Sequence, residues 1–275
     1  MNLVPDNPHS VNRPNAGGAA QRIQGAQSFA RSIAVLQMIA DAAAPPTRAE
    51  IASQSGLTRP TLYRIIASLE AEGLVEATQG GRYRLGGRTV SLARAALAQN
   101  DVRKLAEPML AELRDATGET VHLAIRSGDE MVYIDKIESR QAVRMASTIG
   151  TRVAFHSTAV GKAYLGAMAA AEAEALIGRL PLTRFTEFTT TDRDALRDAI
   201  RRARADGHAR ESEENEIGIT CFGAPIMEAP GRPVASISIS VPLFRLGDAD
   251  HYTGPLLTAV AEISARLGYM PKETR

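Results

Sequence analysis

Residues 58–73 read Thr-Arg-Pro-Thr-Leu-Tyr-Arg-Ile-Ile-Ala-Ser-Leu-Glu-Ala-Glu-Gly. Leu62, Ile65, Ile66 and Leu69 fall at i, i+3, i+4 and i+7, one apolar stripe of a helix. Pro60, Arg64, Ala67 and Ser68 then project from the opposite side. Thr58 is placed to cap this helix and Gly73 to close it. Just upstream, Thr47 and Glu50 stand three apart as a capping box, with Ile51 and Ala52 facing inward. Ser55-Gly56-Leu57 joins the two helices as a tight turn, with Gly56 suited to a positive φ. This is a helix–turn–helix, whose second helix enters the major groove. Leu74–Ala77 and Arg82–Leu85 flank Gln79-Gly80-Gly81 and predict a two-stranded hairpin, a wing. In it, Tyr83 and Leu85 pack down while Arg82 and Arg84 face out towards phosphates.

Working outward, Phe29, Ile33, Leu36 and Ile39 give a first helix its inner stripe, ended by Pro45-Pro46. Residues 1–25 are polar, rich in Pro and Asn, and read as a flexible arm. They lack the apolar core of a signal peptide, and no apolar run is long enough to span a membrane. A cytoplasmic location is therefore expected. The winged helix–turn–helix is assigned to 26–87 and a linker helix to 88–100. Leu92, Ala96 and Leu97 of that helix are either a dimer surface or intramolecular core. From 101 to 270 the pattern is α+β. A helix over 101–117 turns Leu105, Met109, Leu110 and Leu113 inward, and strands are predicted at 120–126, 130–138 and 141–147. Helices follow at 157–168, 171–178 and 191–206, then strands at 208–212, 219–227 and 233–241, and a helix at 249–267. Six strands with helices between them suggest an antiparallel sheet domain.

Of 275 residues, 44% are hydrophobic and 23% charged, which excludes a wholly disordered, collagen-like or coiled-coil chain. With no Trp and 4% aromatics, the core rests on Ala, Leu, Ile and Val. A single cysteine, Cys221, excludes an intrachain disulfide and a multi-cysteine metal site. Residues 1–100 carry ten Arg and no Lys against six acids, whereas the remainder is mildly acidic. That asymmetry suits a DNA-binding module joined to a partner domain that does not touch DNA.

With these pieces in place, the chain resembles the IclR family of bacterial transcription regulators from about Gln27 to Gly268. Ala49–Leu57 and Leu69–Leu74 look like the family's winged helix–turn–helix. Gly118–Leu123 and Val143–Ser147 look like the start of its effector domain. His156-Ser157-Thr158-Ala159-Val160-Gly161-Lys162-Ala163 resembles its ligand loop, and Glu213–Cys221 its terminal signature. Glu211 stands where the family usually has Asp. Phe222 replaces an aliphatic residue, and Met227-Glu228 an aromatic–acid or aromatic–Asn pair.

The resemblance implies a winged helix joined by a linker helix to a GAF-like effector domain. It implies homodimers or tetramers on a palindromic double-stranded operator, governed by a small carboxylic acid, with repression favoured over activation. Thr58, Arg59, Pro60, Thr61, Arg64, Ser68, Arg82 and Arg84 become the DNA-contacting set. Arg offers two donors to a guanine edge, and Thr meets a base or a methyl group. Arg22 and Arg31 are equally placed to touch the backbone or to be solvated.

For the effector, the resemblance implies Met145, Phe155, Ala159, Val160, Gly161, Glu211, Cys221, Ser238 and Ser240. The helix opening at Ser157–Gly161 offers free N–H groups to a carboxylate. Ser236, Ser238 and Ser240 share one strand face; Ser236 reads as solvent-facing, the other two as pocket-lining. His122 and His156 lack a partner at metal-ligand spacing and read as structural. No metal, cofactor or catalytic residue is expected. The alternative function is an enzyme using the GAF-like pocket on a small acid. Against it, no base adjoins Cys221 and no second thiol could resolve its oxidised form.

Overall fold

The computed structural model describes residues 27–98, 101–142 and 145–270. The expected arm at 1–25, with Arg22, lies outside them, as do Val143, Arg144 and the side chain of Leu97. The chain forms two compact units, Met1–Ala96 and Leu97–Arg275.

In the first unit, helices α1 (Gln27–Asp41), α2 (Arg48–Ser55) and α3 (Arg59–Ala71) precede strands β1 (Val75–Ala77) and β2 (Tyr83–Leu85). The capping box forms as the spacing requires: Thr47 accepts from the Glu50 amide while Glu50 reaches back to the Thr47 N–H. Gly56 takes φ 64°, so the chain reverses between α2 and α3 where only glycine turns without strain. Val35, Ile39, Ile51, Leu62, Ile65, Ile66, Leu69, Val75 and Tyr83 form the core.

Three details differ from expectation. Phe29 and Ile33 are exposed, and α1 buries Val35 and Ile39 instead; its apolar stripe is longer than the surface it packs on. Leu85 is 40% exposed, so of the pair Tyr83 and Leu85 only Tyr83 packs down, beside Val75 of β1. Thr58 sits at the N-cap of α3, but its hydroxyl bonds that of Thr61 at 2.9 Å instead of a helix amide.

Helix α4 (Gly87–Ala98) crosses the division between the units. The second unit holds α5 (Asp101–Thr117), β3 (Thr120–Ser127), β4 (Glu130–Ile137), β5 (Arg152–Val153), α6 (Ala159–Ala167), α7 (Ala170–Arg179), α8 (Arg193–Asp206), β6 (Ala209–Ser212), β7 (Ile219–Glu228), β8 (Arg232–Pro242) and α9 (Asp250–Arg266). The strands make one six-stranded sheet in the order β5-β4-β3-β8-β7-β6, with every pairing antiparallel.

The expected strand at 141–147 is absent among the described residues, and the edge place is taken by Arg152–Val153 opposite Val132 and Met131. The carbonyls of Met145 and Ser147 are taken by the Lys136 ammonium of β4, 2.7 Å from each, instead of a strand ladder.

Alternation gives the sheet two unlike faces. Val121, Leu123, Phe222, Ala224, Ile237 and Ile239 pack with α5 and α9 in a large apolar core. The residues between them carry the hydroxyl, thiol, imidazole and carboxyl groups, and α6 lies against that other face.

Candidate functional site

Two sets of residues need placing, one in each unit. In the first, Arg59, Pro60, Arg64 and Ser68 are exposed on α3, and Thr61 is partly buried beside them. Ser68 donates to the Arg64 carbonyl at 2.9 Å. In the wing, Arg82 donates to the Pro45 carbonyl at 2.8 Å, and Arg84 pairs with Glu76 at 2.8 Å. Both pairs are solvent-exposed and therefore weak, so a phosphate can compete for either guanidinium.

Sequence reasoning passed over one further arrangement. The Arg48 guanidinium lies 4.8 Å from the centroid of Tyr63 and 5.6 Å from that of Tyr83, and it bonds the Tyr83 hydroxyl. Tyr63 is 58% exposed, on the helix face away from the core stripe. An aromatic residue off the stripe of an otherwise well-patterned helix was the available signal.

In the second unit, strand register assembles the polar face. Glu211 pairs with Cys221, Cys221 with Ser240, and Ser240 with Thr120, so these four form one row across β6, β7, β8 and β3. The next row runs Ala209, Gly223, Ser238, His122 and Lys136. Gly223 is required by the packing. A Cβ there would come within 2.6 Å of the Ala159 backbone, so the first turn of α6 rests directly on β7. Gly161 is similarly fixed, since a Cβ would lie 2.4 Å from Cα of Phe155.

The Thr158 hydroxyl accepts from the Gly161 amide at 3.2 Å, and the Thr158 carbonyl accepts from the Lys162 amide. The amides of Ala159 and Val160 precede these bonds, in the position where a helix presents free donors. Lys162 is buried and paired with Glu214, which ties α6 to the loop following β6.

Burial raises the Glu211 carboxyl to about 7, against lowering by Cys221, the Glu214 amide and Lys162. Its Oε2 accepts from the Glu214 N–H at 3.0 Å. Burial, reinforced by the Glu211 charge, pushes the Cys221 thiol well up, so it is no nucleophile at neutral pH. Burial also lowers the His122 imidazole to about 3, helped by the nearby Lys136 charge, so the ring is neutral. Cys221 is partly exposed as a residue, whereas Glu211, His122, Ser238 and Ser240 beside it are buried.

The other proposed effector residues sit differently. Phe155 and Val160 are fully buried in a second core cluster with Tyr133, Tyr164 and Leu165, and Met145 is partly buried on the loop before β5. Ser236 is 0% exposed, so it is not the solvent-facing residue expected, and its hydroxyl has no hydrogen-bond partner. His156 has Nε2 2.9 Å from the Thr183 carbonyl. His122, in the second row, reaches the first: its Nδ1 lies 3.4 Å from the Ser240 hydroxyl and its Nε2 2.7 Å from that of Ser147.

Among the described residues no cluster of His, Cys, Asp and Glu could hold a metal, and no helix is long and apolar enough to cross a membrane. Two family models match the chain. That described as the IclR helix-turn-helix domain covers residues 28–79, and that described as the C-terminal part of bacterial transcriptional regulator IclR covers 94–265.

The HTH-type transcriptional regulator XynR of Escherichia coli K12 is 34% identical over 88% of this chain and 98% of its own length. The HTH-type transcriptional repressor AllR of the same organism is 32% identical over 94% and 97%. The crystal structure of Thermotoga maritima IclR superposes with a TM-score of 0.71 at 32% identity, covering 88% of this chain and 99% of that one. XynR and AllR bear the names of HTH-type transcriptional regulators and not of enzymes. The chain belongs to the IclR family of bacterial transcriptional regulators, with its helix–turn–helix in the first unit and its antiparallel-sheet domain in the second.

Proposed function

We propose that the chain is a repressor that releases or tightens on a palindromic operator when a small carboxylic acid occupies the polar face of the second unit. The observation that carries the effector half is the row Glu211, Cys221, Ser240 lying beside Gly223, onto which the first turn of α6 is pressed. Free amides at a helix start suit a carboxylate, and the hydroxyls and thiol of the row suit its remaining oxygens. AllR, which bears the name of repressor, supports repression. A panel of small acids screened by thermal stabilisation supplies the ligand, since binding to the folded state alone raises the midpoint. In calorimetry on the full chain, Ser240→Ala then costs about 1–3 kcal/mol of effector affinity. Equal affinity in Ser240→Ala and Ala159→Leu would move the site elsewhere.

For DNA, Arg59, Thr61 and Arg64 on the outer face of α3 are assigned to base edges, and Arg82 and Arg84 to phosphates. A bound sequence selected from a random pool defines the operator. Arg64→Ala weakens it by about 1–3 kcal/mol and relaxes specificity, while Arg82→Ala weakens operator and random DNA alike. Unchanged gel-shift affinity for Arg64→Ala would displace the recognition helix. A palindrome needs two-fold symmetry. Val90 and Leu92 on α4 are 69% and 56% exposed, which supports the dimer-surface reading of that helix over the core reading. A monomer in light scattering at micromolar concentration would count against it.

A further inference from the structure

We propose that His122 is a positioning residue of the effector site: held between Ser147 and Ser240, it turns the Ser240 hydroxyl proton towards the ligand, so the site selects an accepting oxygen there. This rests on reading the row as the acid site. The imidazole is 2% exposed and stacks on Tyr133, with ring centroids 4.5 Å apart. Its two nitrogens face one hydroxyl each, from Ser147 on the loop before β5 and from Ser240 on β8. A neutral imidazole carries one donor and one acceptor, so these two bonds must run in the same sense around the ring.

The two senses leave different sites. If Nε2 carries the proton, it donates to Ser147, and Nδ1 accepts the Ser240 proton. Ser240 then has nothing to give a ligand. If Nδ1 carries the proton, it donates to the Ser240 oxygen, which also receives the Cys221 thiol proton at 3.3 Å. The Ser240 proton is then free, and Ser147 donates to Nε2 across 2.7 Å, an ordinary length for a hydroxyl donor. A carboxylic acid brings acceptors, so the Nδ1-protonated ring is the one that fits. Lys136 fixes the Ser147 end by holding the carbonyls of Met145 and Ser147, each at 2.7 Å. Its charge also opposes a second proton on the ring.

The test has a spectroscopic arm and a binding arm. Nitrogen-15 labelling of the histidines in the full chain, with His122→Asn for assignment, reads the tautomer directly. A protonated Nδ1 and bare Nε2 at pH 7 are expected, with Nε2 shifting in Ser147→Ala. The reverse tautomer, or an imidazolium, overturns the proposal.

For binding, pyruvate against lactate and 2-oxoglutarate against 2-hydroxyglutarate pair an acceptor-only oxygen with a hydroxyl, which can also accept but must find an acceptor for its own proton at a place where Ser240 already donates. The parent should prefer an oxo acid by about tenfold, the worth of one hydrogen bond. His122→Leu should lose that preference, and His122→Asn, whose amide can still donate to Ser240, should keep most of it. Unaltered preference in His122→Leu overturns the role of His122 while leaving the site standing. If no acid of the panel raises the parent's melting midpoint, the acid-site reading itself falls and this proposal with it. Should His122→Leu not fold, the parent's tautomer and the Asn variant decide.

Discussion

The two faces of the six-stranded sheet are built from the same strands, residue by alternating residue, and they do opposite work. Towards α5 and α9, Val121, Phe222 and Ile239 lie opposite one another in register. One step along each strand, Thr120, Cys221 and Ser240 do the same on the other face. The first row can exclude water because its side chains need no partners. The second is buried nearly as deeply, yet carries hydroxyl, thiol and carboxyl groups that must each find one. Where α6 begins, that face is given to polar groups and is shaped for recognition, while apolar packing lies on the face towards α5 and α9 and farther along under α6, around Tyr133, Phe155 and Val160.

The sharpest way to break this contrast is Phe222→Ala. Phe222 is 1% exposed and stacks on Tyr252 of α9 at 5.4 Å, so its removal leaves a cavity between strand and helix. A loss of about 3–5 kcal/mol in urea unfolding of the second unit is expected, with effector affinity of the folded fraction unchanged. Ser240→Ala, its neighbour on the opposite face, should show the reverse pattern. Similar stability losses for both would mean that the faces are not divided in this way.

The second prediction uses pH. Glu211 is raised from 4.5 to about 7 in the fold, so between those values the folded chain holds a proton that the unfolded chain has released. Stability therefore falls as pH rises through that window, by on the order of 3 kcal/mol once it is crossed. His122 works the other way. It is neutral in the fold down to about 3, whereas the unfolded ring charges near 6.5, so stability falls as pH drops between them. The two slopes oppose each other between 4.5 and 6.5. Glu211→Gln should abolish the decline above pH 6.5 and steepen the decline from 6.5 down to 4.5, where the His122 slope is no longer opposed. A parent curve flat from pH 6 to 8 would show that Glu211 is ionised without penalty.

Third, Gly223→Ala puts a methyl group against the backbone of Ala159, 2.6 Å from two of its atoms, where no flexible side-chain end can give way. The first turn of α6 must lift off β7. About 1–3 kcal/mol of stability should go, and effector binding should weaken with it, because the amides of that turn move. A change in stability without a change in binding would detach α6 from the effector site.

Much of this was legible from periodicity. The stripe Leu62, Ile65, Ile66, Leu69 gave α3, and alternation over 233–241 gave β8 with its two faces. What failed did so where local pattern meets a non-local competitor. The segment 141–147 has strand-like composition, but Lys136 takes its carbonyls. Phe29 and Ile33 have helical spacing, but the core beneath α1 reaches only Val35 and Ile39. His122 gave no local signal because its partners lie 25 and 118 residues away, and only the fold brings them to one ring. The pairing of Glu211 with Cys221 and of Cys221 with Ser240 likewise depends on register, which no single strand encodes.

The smallest effect tests where the polar face stops. Ser236 lies two residues from Ser238 on the same side of β8, opposite Pro225 and Ala124, and is 0% exposed with an unpartnered hydroxyl. A buried hydroxyl without a bond carries its desolvation cost uncompensated, and Ala removes that cost in exchange for a void smaller than a methyl group. The balance for Ser236→Ala is a stability unchanged or raised by up to about 1 kcal/mol, seen as a higher urea midpoint at constant slope. Effector affinity should not move, because the two rows that meet the helix start are those of Ser240 and Ser238, and Ser236 lies in the next. If Ser236→Ala instead weakens the effector as Ser240→Ala does, the unpartnered hydroxyl is waiting for a ligand oxygen. The site then extends one row deeper along β8, beneath α6.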